Sequence, residues 1–129
     1  MEWWKKMATS FKSSWETTVA SYLSKNCVKY EYEPMSFYIN YRLRYTPDFL
    51  LELWHDRKRI IVEPHGIMDF GDFQKFSMFR KVFGKDYFLV LLVRNDDISS
   101  VPKEAYDDIW PIEYAELLVK KLRADHNAG

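Results

Sequence analysis

The segment from Tyr45 to Gly66, YTPDFLLELWHDRKRIIVEPHG, has the pattern of a β-hairpin with acidic residues inside it. Two β-rich runs flank a short polar break, which is typical of two antiparallel strands joined by a tight turn. The predicted strands are Tyr45–Trp54 and Arg59–His65. Each carries one carboxylate, Asp48 or Glu63, where an apolar residue would otherwise fit. These two acids limit how the segment can fold, because a buried carboxylate needs a partner.

The length of the hairpin loop decides which side chains face each other. A loop of His55–Asp56 puts Asp48 opposite Glu63, whereas a loop of His55–Lys58 puts Asp48 opposite His65. Both registers leave the three side chains on one face, because strand side chains alternate with period two. Opposed side chains have Cβ atoms roughly 5 Å apart, and like charges at that distance are destabilising unless something neutralises them. A divalent cation would do so.

Length and charge limit the class of protein. The chain has 129 residues, 47% of them hydrophobic, which predicts one folded domain over residues 1–129. Nineteen basic and nineteen acidic side chains cancel, so no overall field attracts the chain to a polyanion. This balance argues against a simple basic coat protein but does not exclude a DNA enzyme.

The single cysteine and the apolar runs indicate the compartment. Cys27 cannot form an internal disulfide, which suits a reducing environment, and we expect it to be a small buried hydrophobic residue. The first ten residues lack the apolar centre of a signal peptide, and the longest apolar run, Tyr87–Val93, is too short to cross a bilayer. We therefore expect a cytoplasmic protein without membrane partners.

A first helix is predicted from Ser13–Glu16 through Ser24. Glu16 has two interpretations. It can be the third residue of a capping box with Ser13 as N-cap, or it can project toward the hairpin as a third carboxylate.

The other elements follow from periodicity. Val28–Glu33 alternates as a half-buried strand whose polar face, which includes Glu33, is expected to be solvated. Residues 35–44 are either a further strand or an extended lead, and Arg42 and Arg44 either contact phosphate or form a solvated face. Asp72 is expected to cap a helix that runs through Phe83 and has a stripe of aromatic core residues. Tyr87–Val93 is expected to be a strand that is buried on both faces and pairs in parallel. A last helix is predicted from Pro111 to about Arg123.

The predicted order is α-β-β-β-α-β with a trailing helix, and in this the chain resembles the PD-(D/E)XK nuclease superfamily. The family motif is Pro-Asp on the second strand and Glu-X-Lys on the third, and the matching residues here are Pro47-Asp48 and Glu63-Pro64-His65. Glu16 matches an acidic residue that many members carry on the first helix. The resemblance implies an α/β (α+β) fold of the restriction-endonuclease type, with a mixed central sheet flanked by helices and a C-terminal helix.

The resemblance also implies a metal-dependent endonuclease that hydrolyses DNA phosphodiester bonds. Carboxylate ligands such as Asp48 and Glu63 suit Mg²⁺ or Mn²⁺, which polarise a phosphate and lower the pKa of an attacking water. In the family the backbone carbonyl between Glu and Lys is a further ligand, which corresponds to Pro64, and Glu16 is a candidate fourth. Catalytic roles are thereby expected for Asp48, Glu63, His65 and Glu16.

The chain departs from the family at one position, where His65 stands in place of lysine. Lys75 on the following helix is a candidate for a relocated cation, and His65 is a candidate for orienting or deprotonating the water. The departure also favours an alternative, a catalytically impaired nuclease-fold module for DNA binding or assembly. A third interpretation is an unrelated α/β interaction domain.

Basic residues predict where DNA would lie. The candidates for DNA contact are Lys75, Lys81, Arg57, Lys58 and Arg59, with Lys5, Lys6 and Lys12 ahead of the first helix. No motif for reading bases is present, so specificity is absent, structural or supplied by a partner protein. Small members of the family occur in phages and mobile elements, and many act as homodimers because two strands need two sites.

Overall fold

The computed structural model describes residues 13–128, which form a five-stranded sheet with helices on both faces. The helices are α1 (Ser14–Lys25), α2 (Phe70–Phe83) and α3 (Ala115–Ala128). The strands are β1 (Tyr30–Tyr32), β2 (Phe37–Asn40), β3 (Leu43–Tyr45), β4 (Phe49–His55), β5 (Lys58–Pro64), β6 (Tyr87–Val93) and β7 (Asp108–Pro111). Short 3₁₀ helices occupy Asn95–Ser100, Lys103–Ala105 and Ile112–Tyr114.

The large sheet is mixed, with the strand order β1-β4-β5-β6-β7. β4 pairs antiparallel with β1 and β5, whereas β6 pairs in parallel with β5 and β7. β2 and β3 form a separate two-stranded sheet. The predicted mixed sheet with flanking helices and a C-terminal helix is therefore confirmed. The expected parallel pairing of the strand after α2 is confirmed as well.

Two hydrophobic clusters fill the spaces on either side of the sheet. On one side Val62 and Leu92 pack with α1 and α3, and on the other Ile61 and Leu91 pack with α2 and the β2–β3 hairpin. Neighbouring residues of each strand enter opposite clusters, as the two-residue period requires. β6 has the bounds that the sequence predicted and is buried on both faces. Phe76 and Phe79 are fully buried, so the predicted core role of the α2 aromatic stripe is confirmed.

The tip of the β4–β5 hairpin differs from both predicted loops. His55 pairs with Lys58, and the loop is Asp56–Arg57. Both loop residues have positive φ, 49° and 68°, which fits a two-residue turn of the primed type that matches strand twist.

The base of the hairpin nevertheless has the register of the shorter predicted loop. A register shift between Leu50 and Trp54 leaves Phe49 opposite Val62. The next position along each strand therefore brings Asp48 opposite Glu63. The predicted continuous strand from Tyr45 is wrong, because Tyr45 ends β3 and belongs to the small sheet.

Three further local predictions are corrected. Asp69, not Asp72, is the N-cap of α2, and Asp72 closes the capping box from the third helical position. Pro111 ends β7, which the sequence did not predict, and α3 begins only at Ala115. Cys27 is exposed with φ of 58°, because it lies in the left-handed turn that ends α1. Within residues 13–128 no helix is long and apolar enough to cross a membrane.

Candidate metal centre

Asp48 lies just before β4, at the point where the chain enters the large sheet. Its backbone is held from two sides: its N–H donates to Glu63 Oε1 at 3.1 Å, and its carbonyl accepts from the N–H of Glu33 at 2.9 Å. The residue is only 9% exposed. The main chain thus fixes a mostly buried carboxylate between two other acidic residues.

Glu63 lies on β5 beside Asp48 and is held by a tyrosine. Its Oε1 accepts from the Tyr45 hydroxyl at 2.7 Å as well as from the Asp48 N–H. Tyr45 is buried, and its ring packs edge-on against Phe76 and Phe79 of α2 at 5.5 and 4.9 Å between centroids. The aromatic core under α2 therefore sets the orientation of this carboxylate.

Glu16 reaches the same place from the other face of the sheet. Ser13 caps α1 by accepting from the Glu16 N–H at 3.2 Å, but the Glu16 side chain is buried and accepts from the Tyr32 hydroxyl at 3.1 Å. Its second oxygen, Oε2, is buried without a hydrogen-bond partner among the described residues. Of the two interpretations of Glu16, the structure supports a side chain directed toward the hairpin. The cap is supplied by Ser13.

Glu33 is a site residue that the sequence analysis missed. Strand alternation placed it on a solvated face, but its φ of 48° ends the alternation after β1 and turns the side chain toward Asp48. One carboxylate oxygen from each of Glu16, Glu33 and Asp48 lies within 4.8 Å of the others. Within residues 13–128, the group of three acids whose oxygens approach this closely therefore contains Glu33 beside two predicted residues, and Glu63 is hydrogen-bonded to the Asp48 backbone.

This concentration of carboxylates perturbs their ionisation. Burial raises the pKa of Asp48, and the neighbouring charges of Glu63 and then Glu16 raise it further. Burial also raises the pKa of Glu63, although hydrogen bonds from Tyr45 and Asp48 and the charge of His65 oppose that effect. Without a cation, the group retains a proton at neutral pH, because like charges this close cannot all ionise.

The carbonyl of Pro64 points to the β4 side of β5. The His65 N–H donates to Leu92 O of β6 at 2.9 Å, and the described residues contain no cis peptide bond. In a trans peptide the C=O and N–H point in opposite directions, so Pro64 C=O points away from β6, to the side where β4 and Asp48 lie. This is the direction that the predicted ligand role requires.

His65 is paired with an acid that the sequence analysis did not assign to the site. His65 Nε2 lies 3.2 Å from Asp72 Oδ2, and the ring packs edge-on against Phe76 at 5.8 Å. Asp72 is itself fixed, because its Oδ2 also accepts from the Asp69 N–H at 3.0 Å in the α2 capping box. The imidazole is therefore oriented by the first turn of α2.

Among the predicted DNA-contacting cations, Lys75 lies beside Tyr45, the tyrosine whose hydroxyl holds Glu63. Lys75 Nζ is 5.8 Å from the Tyr45 ring centroid and 5.4 Å from that of Phe76. Lys81 is six residues further along α2, about 9 Å, and lines a groove with Ser77, Arg80 and Glu104 on another side of the helix.

The hairpin-tip cations are distant from the acids. Lys58 and Glu63 are five residues apart on β5, which is about 16 Å. Arg59 is used structurally: its Nε donates to Leu51 O at 2.8 Å, and its guanidinium lies 5.5 Å from the Trp54 ring centroid. Arg57 is exposed in the turn. Arg57, Lys58 and Arg59 therefore lie at the end of the hairpin away from the acids, and their contact with DNA stays a prediction. Lys5, Lys6 and Lys12 lie outside the described residues.

The donors present fit a hard divalent cation. They are carboxylate oxygens and one backbone carbonyl, the ligand types that Mg²⁺ and Mn²⁺ prefer. The unpartnered Glu16 Oε2 is the strongest sign of fit, since a buried carboxylate oxygen without a partner is costly. No cysteine lies in the group, and the acids themselves give no nitrogen or sulfur set typical of zinc.

Comparisons with family models, with curated proteins and with solved structures gave no match.

Proposed function

We propose that the chain is a metal-dependent phosphodiesterase whose centre is built on Asp48, Glu63, Glu16 and Glu33. More specifically, we propose a PD-(D/E)XK-type endonuclease that hydrolyses DNA phosphodiester bonds with Mg²⁺ or Mn²⁺. The observation that carries the proposal is the buried group of carboxylates around Asp48, with one Glu16 oxygen left without a partner. The order of strands around β4, β5 and β6 supports it, because Asp48 lies at the start of β4, Glu63 on β5 and Glu16 on α1, the order of elements that the resemblance specifies.

In this proposal each residue has a chemical role. Asp48, Glu63, Glu16 and the Pro64 carbonyl would hold the ion, and Glu33 would add a ligand that the family motif does not specify. A bound Mg²⁺ or Mn²⁺ would polarise the phosphate and lower the pKa of a water. His65, oriented by Asp72, would be the residue to position a water or accept a proton, and Lys75 would supply a positive charge for the phosphate.

Cleavage of supercoiled, linear, single-stranded and branched DNA with Mg²⁺ or Mn²⁺ tests the proposal. We expect Asp48→Asn and Glu63→Gln each to lower the cleavage rate at least about 100-fold, because a lost ligand removes several kcal/mol of charge stabilisation. Glu52→Gln is the matched control, since Glu52 is an exposed acid on β4, and it should cleave like the native chain.

Unchanged cleavage by Asp48→Asn and Glu63→Gln would show that the assigned centre is wrong. If the native chain binds DNA but cleaves none of the four substrates, the result favours the impaired binding or assembly module. Sedimentation of the active protein tests the expected homodimer, because cleavage of both strands of a duplex needs two sites.

A further inference from the structure

The β2–β3 hairpin concentrates positive charge in a chain whose net charge is zero. Between Glu33 and Asp48 the sequence contains two arginines, Arg42 and Arg44, and no acidic residue. The same segment contains four aromatic residues besides. Charge is therefore segregated locally, at a place where the chain leaves the large sheet between β1 and β4.

The two faces of the hairpin differ in chemistry. Phe37 and Tyr45 are paired and buried, and Phe37 packs against Phe79 of α2 at 5.0 Å between centroids. Tyr38 and Arg44 are paired on the opposite face, where Tyr38 is 69% exposed and Arg44 is exposed. The outer face thus presents a tyrosine directly beside an arginine.

The turn of the hairpin repeats this combination. Tyr41 is 89% exposed, and the guanidinium carbon of Arg42 lies 5.1 Å from its ring centroid. The turn is fixed by a hydrogen bond from the Arg42 N–H to Asn40 Oδ1 at 2.8 Å. Arg42 lies over one face of the exposed Tyr41 ring, so the other face of the ring is available for stacking.

The base of the hairpin is attached to the acid cluster. Tyr45, the last residue of β3, donates its hydroxyl to Glu63, and the Ser36 and Thr46 hydroxyls join the two chain ends at 2.6 Å. The base of the hairpin is therefore adjacent to the carboxylates, which Tyr45 contacts from the buried face, opposite Tyr38 and Arg44. The two strands together act as an arm, defined as residues 36–46.

We propose that this arm binds an unpaired strand of nucleic acid and guides it to the acid cluster. Tyr38 and Tyr41 stack on bases, and Arg42 and Arg44 contact phosphates. Aromatic rings alternating with cations are the usual means of binding single strands, because stacking needs bases that are not paired. The two arginines without a neighbouring acid in the segment match a polyanion. The part of the proposal that concerns guidance to the cluster rests on the proposed function, whereas strand binding by the arm does not.

Fluorescence anisotropy with fluorescein-labelled single-stranded and duplex DNA of equal length, in EDTA and across a salt series, tests the arm without cleavage. Tyr41→Ala/Arg42→Ala should weaken single-strand binding by about 5- to 150-fold, the loss expected for one stacked base. It should also reduce the slope of log affinity against log salt by about 0.7 for the lost phosphate contact. Tyr41→Phe should bind like the native chain.

The matched control is Tyr114→Ala/Lys121→Ala, which removes one exposed tyrosine and one exposed cation from the α3 side of the sheet. It should leave affinity and salt slope unchanged. The proposal would be overturned if the arm variant, like the control, bound single strands as tightly as the native chain. It would also be overturned if the native chain bound no single-stranded DNA or preferred duplex DNA.

A parallel cleavage assay in Mn²⁺ separates the arm from the proposed function. Loss of strand binding in the arm variant, together with a native chain that cleaves nothing, supports the arm and rejects the nuclease. Asp48-dependent cleavage, with native affinity in the arm variant, supports the nuclease and rejects the arm.

Discussion

At the scale of single residues, Asp48 carries an energetic cost in the absence of a cation. Burial and the charges of Glu63 and Glu16 raise the pKa of Asp48, so the folded protein binds a proton that the unfolded chain has already released above its ordinary pKa of 3.8. Stability then falls as pH rises from about 4 toward the raised value, because the native state binds more protons.

The substitution Asp48→Asn should therefore stabilise the metal-free protein. We expect a gain of about 1–3 kcal/mol at pH 8, because the amide needs no proton and removes a buried like charge. The gain should shrink toward pH 4, where the native carboxyl is already protonated. Urea unfolding in EDTA at the two pH values measures it.

The exposed acid Asp96 provides the control, and Asp96→Asn should not show this pH-dependent gain. A loss of stability in Asp48→Asn at pH 8 would contradict the assigned electrostatics.

The site residues show what sequence patterns can reveal at this scale. Asp48 and Glu63 are visible because an acid interrupts an apolar strand. Glu33 is not, since its positive φ breaks the alternation from which its position was predicted. The partners Tyr45 and Tyr32 were also missed, because a hydroxyl that orients a carboxylate is recognised only when both elements are placed.

At the scale of elements, the first turn of α2 combines capping with orientation of His65. Burial acts to raise the pKa of Asp72, but the Asp69 N–H and the charge of His65 outweigh that effect and lower it. A lowered pKa means that the Asp72 carboxylate stabilises the fold above its ordinary pKa of 3.8 and that this contribution is lost as pH falls.

The substitution Asp72→Ala should cost about 1 kcal/mol at pH 7, a typical value for a lost capping contact. The cost should shrink by about pH 2.5, because below pH 3.8 the unfolded chain takes up a proton before the native carboxyl does. Chemical denaturation at both pH values measures the difference. Asp72→Asn keeps an acceptor for the Asp69 N–H and should therefore lose less stability than Asp72→Ala. If Asp72→Ala loses the same stability at both pH values, the result would argue against a role for the charge.

Elements were predictable where one local signal dominated. β6 has its predicted bounds because a run of seven apolar residues, too short for a typical helix, is typical of a doubly buried strand. β7 was missed because Pro111, which often opens a helix, here ends an edge strand. The β2–β3 hairpin was left undecided because its mixed aromatic and basic pattern indicates no buried face until α2 covers Phe37.

At the scale of the whole molecule, the acid cluster joins layers that would otherwise meet only through the sheet. Glu16 comes from α1 on one face, while Tyr45 orients Glu63 from the side covered by α2. A cation bound among these residues would stabilise all three layers together, since it binds the folded chain and not the unfolded one.

Mn²⁺ should therefore raise the melting temperature of the native protein in proportion to the logarithm of its concentration. At 100 times the dissociation constant the stabilisation is about 2.7 kcal/mol, which is several degrees for a domain of this size. Binding should also release protons, because the Asp48 carboxyl must ionise. Scanning fluorimetry measures the shift, and calorimetry in two buffers of different ionisation enthalpy measures the protons.

Glu16→Gln should lose most of this shift, whereas Glu52→Gln should retain it. The same shift in Glu16→Gln and the native chain would exclude Glu16 as a ligand.

The hairpin with its two acids, the helices and the parallel pairing of β6 followed from periodicity and turn signals, whereas the mixed sheet flanked by helices was implied by the resemblance. The approach of α1 to the hairpin could not be predicted from the sequence. The local sequence of α1 is equally compatible with a capping role for Glu16, and only tertiary packing decides where the Glu16 side chain points.

Pro47 precedes Asp48 and Pro64 follows Glu63, and these two prolines affect the shape of the site. In the register of the hairpin base, Pro47 and Pro64 face each other beyond Asp48 and Glu63. Neither has an N–H, so the β4–β5 ladder cannot be extended past the acids. The end of the ladder beside the acids is therefore set by the absence of hydrogen-bond donors in the sequence. The ladder should end there with or without a ligand.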